Sequence, residues 1–428
     1  MNTFVIHNLG CKVNHYEAEA CASMLEKSGW RRAGEPMGEP VDAVILFTCC
    51  VTNTAAHKSR QMMHRLKRLY PGAAIVVVGC YVQVAADQME EADILVGSGE
   101  KDQIPSLLEQ WNLSHRKQKA VHSARDITKF TDLPLDEFED HTRAVLKVQD
   151  GCNQFCSYCI IPYARGPQRS LRLDLAVARA KQLSEHHHEL VLAGIHTGRY
   201  GQEYGVSLAD LIERILVETP LQRIRISSIE ISEIDDHLIE LLHNPRVARH
   251  LHIPLQSGSD SVLQRMGRPY SAQAYHAKIN QLREEVDDLA ISTDLIVGFP
   301  QESEAEFQES MDFANDCGFS FLHVFPYSLR QGTRAASMKQ VDDTVKKQRT
   351  ETMLAVSNRL YDAYKQSWIG RDAQVLMEKD HGSYTPGHAS QYFEVRVPGI
   401  VSRGSMRRVK ILRMENHVLF GEIDDEAE

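Results

Sequence analysis

The sequence predicts an α/β protein in three parts: an open parallel α/β domain, a partial (β/α)6 barrel and a small C-terminal β-barrel. Two separate series of apolar strands alternate with amphipathic helices, and alternation of that kind builds parallel sheets with right-handed crossovers. A polar segment of weak periodicity, 112–143, divides the two series. Beyond the helical stretch 342–370 the pattern becomes strand-like and glycine-rich, as in small all-β modules. The expected divisions are therefore 1–113, a linker at 114–143, 144–366 and 367–428.

In the first part, TFVIHNLG reads as a buried strand, and HYEAEACASMLEKSGW follows with Ala18, Cys21, Met24 and Leu25 at helical spacing. VDAVILFT, AAIVVVG and ADILVGS continue the sheet, with the basic helix AHKSRQMMHRLKRLY and the helix KDQIPSLLEQW between and after them. Cys11, Cys49 and Cys80 each follow the carboxyl end of a strand. Those ends lie along one edge of a parallel sheet, where open α/β folds place their ligands.

The second series offers six strands: AVLKVQ, ELVLAGI, RIRISSIE, HLHIPLQ, LAISTDLIVGF and FLHVFPY. Six such units make an incomplete relative of the eight-unit barrel, whose chemistry sits at the carboxyl face. QDGCNQFCSYCIIPYARG follows the first of them and spaces Cys152, Cys156 and Cys159 as CxxxCxxC. The last part shows AQVLME, YFEVRVPG, RRVKILRM and HVLFGEI, the size of a small OB-like barrel. From Trp368 to Arg413 eight Lys or Arg face four acids, a net +4 within a chain of net charge −10. The overall charge argues against a protein that coats nucleic acid, whereas the local patch permits one RNA contact surface. EIDDEAE closes the chain as a solvated acidic tail.

With no apolar run long enough to span a membrane and no signal-peptide pattern in MNTFVIHNLG, the expected location is cytoplasmic. Nine cysteines in a reducing compartment read as metal-binding or catalytic rather than disulfide-forming. Zinc and iron–sulfur compete for them. Zinc closes structural sites with four ligands, and CxxxCxxC has no nearby CxxC partner. Three thiolates on a four-iron cluster leave one iron free, so the spacing favours iron–sulfur.

DGCNQFCSYCIIPYARG resembles the radical SAM superfamily, and LGCKVNHYEAEA, FTCCVTNTAAHKSRQ and VVVGCYVQ extend the resemblance to its methylthiotransferases across essentially the whole chain. That resemblance implies two [4Fe-4S] clusters, one held by Cys152, Cys156 and Cys159 and chelating S-adenosyl-L-methionine, the other held by Cys11, Cys49 and Cys80. Phe47-Thr48-Cys49 departs from the family's Asn-Thr-Cys at its first position, so Cys49 is assigned and Cys50 is treated as a neighbour. It also implies a C-terminal TRAM domain that binds substrate. The expected reaction is addition of a methylthio group to carbon 2 of N6-threonylcarbamoyladenosine at position 37 of tRNA, using two S-adenosylmethionine molecules. The alternatives are isopentenyladenosine in tRNA, a ribosomal-protein aspartate, or a non-enzymatic iron–sulfur RNA-binding protein. Expected partners are tRNA, an external one-electron donor and a sulfur donor, with a monomeric chain and no membrane.

Further site residues follow from strand ends at the carboxyl face. Gly194, Glu230, Gln256, Ser257 and Asp294 are expected near the cofactor, the glycine for close backbone approach and the others for its polar groups. Arg403, Arg407, Arg408 and Lys410 are expected on RNA. Arg165, Arg169 and Arg172 divide between phosphate contact and a structural role, the histidine run 186–188 reads as surface, and Cys21 and Cys317 as buried thiols.

Overall fold

The computed structural model describes residues 2–34, 40–135, 137–138 and 141–424. Part of the polar segment (136, 139 and 140) and the last four residues of the acidic tail lie outside the described residues. The first part is a six-stranded, wholly parallel sheet in the order Arg31–Arg32, Thr3–Asn8, Ala43–Thr48, Ala74–Gly79, Ile94–Val96, Gln118–Ala120. Its central strands Ala43–Thr48 and Ala74–Gly79 are buried along their full length, which is why they read as apolar runs rather than alternations. Helix α1 (Lys12–Lys27) covers one face through Ala18, Cys21, Ala22 and Leu25. Helix α2 (Asn53–Leu69), capped by the Thr52 hydroxyl, which accepts from Ala55 N at 3.1 Å, covers the other through Ala56, Met63 and Leu66. The strand Gln118–Ala120, at the edge of the sheet, comes from the polar segment, whose reading as a linker includes one edge strand.

Six parallel strands form the partial barrel: Ala144–Lys147, Glu189–Ala193, Arg223–Ile226, His250–His252, Ala290–Val297 and Phe321–Pro326. They hydrogen-bond as two three-stranded sheets. Ile229 N, donating to His252 O at 3.0 Å, and the bridge between Ile224 and Val247 join the two across the middle. Capping boxes at Ser207/Asp210 and Ser303/Glu306 start two of the covering helices. Residues of α1 (Val13, Tyr16 and Ala20) enter the barrel's own hydrophobic core, and the Tyr16 hydroxyl donates to Leu133 O at 2.7 Å. The first domain thus closes the side that six strands leave open.

A long helix, Asp343–Gln366, leads to a closed five-stranded barrel in the order Asp372–Met377, Tyr384–Ala389, Glu394–Pro398, Val418–Ile423, Met406–Glu415. Trp368 and Phe393 fill its core with the inward aliphatics. Two barrel arginines dock it. Arg223 donates to Gln374 O (2.7 Å) and His388 O (3.2 Å), and Arg225 to Ser390 O (3.0 Å) and Ala389 O (3.2 Å). Both are buried and share one carboxylate, Glu189. Among the described residues, no helix is long and apolar enough to cross a membrane.

Candidate functional site

Cys152, Cys156 and Cys159 occupy a loop that begins where the first barrel strands end and stops at the short helix Ile161–Arg165. Backbone pins hold its shape. Cys152 N donates to Gly166 O (3.1 Å), Cys159 N to Cys156 O (3.0 Å) and Ser157 N to Met266 O (2.8 Å). Gly151 and Gly166 bracket the loop with φ of +72° and +73°; a Cβ at Gly151 would stand 2.0 Å from Pro167 O and one at Gly166 1.9 Å from Ala124 O. Only glycine fits either place. Gln149 ties the loop to the next strand end, donating to Gly151 O (2.8 Å) and accepting from His196 N (2.7 Å). Cys152 Sγ lies 3.4 Å from Nδ1 of His196, and Arg268 donates to Cys156 Sγ at 3.6 Å.

The other three cysteines arrive from separate strand ends of the first sheet. Cys49 feels the charges of both Cys11 and Cys80, and Cys50, buried beside them, is hydrogen-bonded to Cys80. Cys11 is the accessible member. The two cysteine groups are neighbours: Ile160 and Ala164, which follow Cys159, share one hydrophobic cluster with Cys50, Cys80 and Tyr81. Arg330 adds a strap, donating to Val51 O (3.2 Å) and Asn53 Oδ1 (3.0 Å).

Arg165 joins the groups directly. Fully buried, it donates through Nε to Cys80 Sγ (3.0 Å), through Nη1 to Glu17 (2.7 Å) and Asp150 (3.4 Å), and through Nη2 to Asn14 (2.5 Å). Lys101 and Lys147 also reach Glu17, and Lys147 and Arg169 reach Asp150. Burial pushes the Glu17 carboxyl up, but Arg165, Lys101 and Lys147 outweigh it and hold the group down to about 2. Four buried cations thus meet two buried carboxylates beside Cys80. Uncompensated buried charge is expensive, so the excess calls for a further anion at this place.

The thiols supply it when metallated. Burial pushes Cys49 up to about 11 and Cys159 up to about 12. Cys80 goes the other way, to about 6, under the hydrogen bond with Cys50 and the charge of Arg165. Thiols kept neutral by burial ionise when a metal replaces the proton. Two sets of three, one beside a cationic surplus, suit anionic iron–sulfur groups.

The remaining expectations divide. Gly194 abuts Gln149, where a Cβ would meet its side chain at 3.0 Å. Glu230 pairs with Arg268, the residue that also contacts Cys156. Asp294 lies 3.2 Å from Nε2 of His252. Gln256, at φ +75°, uses its backbone to bond Asp294 O and Ile296 N. Ser257 is buried, and its hydroxyl lies 3.1 Å from that of Ser310 on a covering helix. Of the two roles open to Arg165 and Arg169, the structural one holds, both being bound to buried carboxylates. His187 is buried, not surface, and accepts from Phe138 N at 3.3 Å. Glu17, Asp150, His196, Arg268 and Arg330 escape sequence reasoning because their partners are distant in the chain.

Residues 146–314 match the radical SAM superfamily, and residues 3–97 match an uncharacterized protein family, UPF0004. Threonylcarbamoyladenosine tRNA methylthiotransferase MtaB of Bacillus subtilis is 37% identical over 96% of this chain and 94% of its own. The chain belongs to the radical SAM methylthiotransferases. As one of them it uses S-adenosylmethionine and [4Fe-4S] clusters. MtaB of Thermotoga maritima is 34% identical, over 88% of this chain and 87% of that one. A tRNA-2-methylthio-N(6)-dimethylallyladenosine synthase of Moorella thermoacetica is 31% identical, over 99% and 98%. Among solved structures, the radical S-adenosylmethionine methyltransferase TsrM of Kitasatospora setae, with cobalamin and a [4Fe-4S] cluster bound, aligns at a TM-score of 0.57 and 13% identity. That alignment covers 78% of this chain and 77% of TsrM, and it shows shared fold alone.

Proposed function

We propose that this methylthiotransferase adds a methylthio group to carbon 2 of N6-threonylcarbamoyladenosine at position 37 of tRNA. The packing of Cys50, Cys80, Ile160 and Ala164 into one cluster carries the reading, since it sets the segment that follows Cys159 against the strand ends that carry Cys50 and Cys80. The threonylcarbamoyl substrate is favoured by the 37%-identical MtaB relative. Cys152, Cys156 and Cys159 would hold one cluster with S-adenosylmethionine, and Cys11, Cys49 and Cys80 the other. When bound, these groups supply a hydrogen-abstracting radical and a site for the sulfur to be transferred. The chain's own residues do the rest. Arg165 holds Cys80 and the cysteine loop in one frame, Gly151 and Gly166 permit the loop, and the Glu230–Arg268 pair and Asp294 present polar groups toward the cofactor. The packed barrel and α1 keep water from the chamber.

On the small barrel, Arg407 and Lys410 are exposed and meet tRNA phosphates, with Arg403 at the junction, where it donates to Thr142 Oγ1 at 3.1 Å. An external one-electron donor and a sulfur donor serve a monomeric, cytoplasmic enzyme. Anaerobic reconstitution with iron and sulfide, followed by nucleoside mass spectrometry of tRNA carrying N6-threonylcarbamoyladenosine, tests this. The 2-methylthio derivative and 5′-deoxyadenosine are expected together; 5′-deoxyadenosine without a changed nucleoside would reject the substrate.

A further inference from the structure

A cavity of about 650 Å3 lies where the first domain, the partial barrel and the small barrel meet. Its cations sort by partner. Arg225 is held by Glu189, and Arg143 by Glu378. Lys12 is exposed and, among the described residues, has no hydrogen-bonding or ion-pair partner. It is the first residue of α1, directly after Cys11. Its Nζ sits 5.8 Å from the ring centroid of Tyr392.

Tyr392 is placed there at a conformational cost. Its φ is +74°, a region side chains other than glycine avoid, and strain of this kind persists where a site needs it. The ring is stacked on His250 of the partial barrel at 5.0 Å, with Arg225 also 5.0 Å from its centroid. The charge of Lys12 also reaches His250 and His323 on the barrel strands. Lys379 and Arg403 line the same cavity from the small barrel, Arg403 donating to Thr142 Oγ1 at 3.1 Å, whereas Lys12 is the cation adjacent to Cys11.

We propose that Lys12, against the wall made by Tyr392, binds the carboxylate of the substituent on the substrate base and so selects an acidic N6 group over an apolar one. The inference rests on the threonylcarbamoyl reading above and names the residue that enforces it. A base whose carbon 2 faces the Cys11, Cys49 and Cys80 group must lodge its N6 substituent close by, and the residue next to Cys11 is a cation without a counter-ion. An isopentenyl group would leave that ammonium desolvated and unpaired, which is how a site rejects an isostere lacking its charge. Backbone phosphate is the other source of anionic oxygen.

The test uses reconstituted holoenzyme and three anticodon stem-loop RNAs, carrying N6-threonylcarbamoyladenosine, its methyl ester, or N6-isopentenyladenosine. Wild type is expected to favour the acid over the ester by about tenfold to a hundredfold in kcat/KM, the worth of one charged hydrogen bond. Lys12→Met should erase that preference and Lys12→Arg keep most of it. Because the readout is a ratio between substrates, incomplete cluster loading of a variant does not distort it. Equal use of acid and ester by wild type overturns the proposal without any variant, as does an undiminished acid preference in Lys12→Met. An equal loss by Lys12→Met on all three RNAs assigns the lysine to phosphate and overturns it too. A wild type that modifies only the isopentenyl RNA overturns the substrate reading itself, and the inference falls with it.

Discussion

Arg165 has five donors and spends them on Cys80, Glu17, Asp150 and Asn14 with no access to solvent. Arg165→Met strips a partner from each, and breaking a buried pair costs about 3–5 kcal/mol. The loss should be larger in iron-loaded than in metal-free protein, because the loaded form adds negative charge beyond that of Cys80, whose thiol is already brought down to about 6 beside Arg165. Urea unfolding of both forms measures this, and an equal loss in the two would contradict the electrostatic account. The cysteines were legible in the sequence as candidate ligands, Cys152, Cys156 and Cys159 from their spacing and Cys11, Cys49 and Cys80 from their strand ends and the family resemblance. Their supports were not. Arg165 stays divided between phosphate contact and a structural role in the sequence, because nothing local reveals that Glu17, so far away in the chain, will lie 2.7 Å from it. The contact of the Ser257 hydroxyl with Ser310 was equally hidden, since a strand end fixes the backbone's location but not which way a small hydroxyl turns.

At the level of elements, the cysteine loop depends on two left-handed glycines. Gly166→Ala would force a Cβ to within 1.9 Å of Ala124 O, an overlap with backbone that only a shifted loop relieves. Iron analysis should then fall toward about four per chain from about eight, with the Cys11 group still loaded; full iron would show the loop tolerates the change. Every strand of the partial barrel was visible in advance from the alternation of strand-like and helical segments, and Glu189–Ala193 and Ala290–Val297 most plainly as buried runs. The strand Tyr384–Ala389 was not. It contains Pro386 and Gly387, which read as turn residues. The barrel accommodates both: Pro386 offers its carbonyl to Glu378 N at 2.8 Å, and a Cβ at Gly387 would press on Val375 at 2.5 Å. Closure of a small barrel, a tertiary fact, overrode local propensity.

Across the whole molecule, one carboxylate secures the join between the barrels. Burial raises the Glu189 carboxyl, but Arg225, Arg223 and Arg143 outweigh burial and bring it from 4.5 down to about 2. Its folded value lies below its unfolded one, so its stabilisation is complete above about pH 4.5 and drains as pH falls toward 2, a loss of about 3 kcal/mol. Glu189→Gln should remove that acid sensitivity and expose the C-terminal barrel to limited proteolysis at neutral pH; unchanged protease resistance would place the docking energy elsewhere. The same barrel should meet RNA through Arg407 and Lys410. Each alanine substitution there should lower the slope of log affinity against log salt by about 1. Arg408→Ala should do less, because Asp372 (2.6 Å) and Asp424 (3.7 Å) already hold that side chain.

All of this converges on two metal groups in one chamber. The most direct measurement is the EPR spectrum of the anaerobically reconstituted, fully reduced enzyme, set beside the spectra of variants with Cys152, Cys156 and Cys159, or Cys11, Cys49 and Cys80, replaced by alanine. Paramagnetic clusters held side by side broaden each other, so the wild-type spectrum should differ from the sum of the two variants' spectra. A wild-type spectrum equal to that sum, or one matching a single variant, would mean that the two cysteine groups do not hold neighbouring clusters.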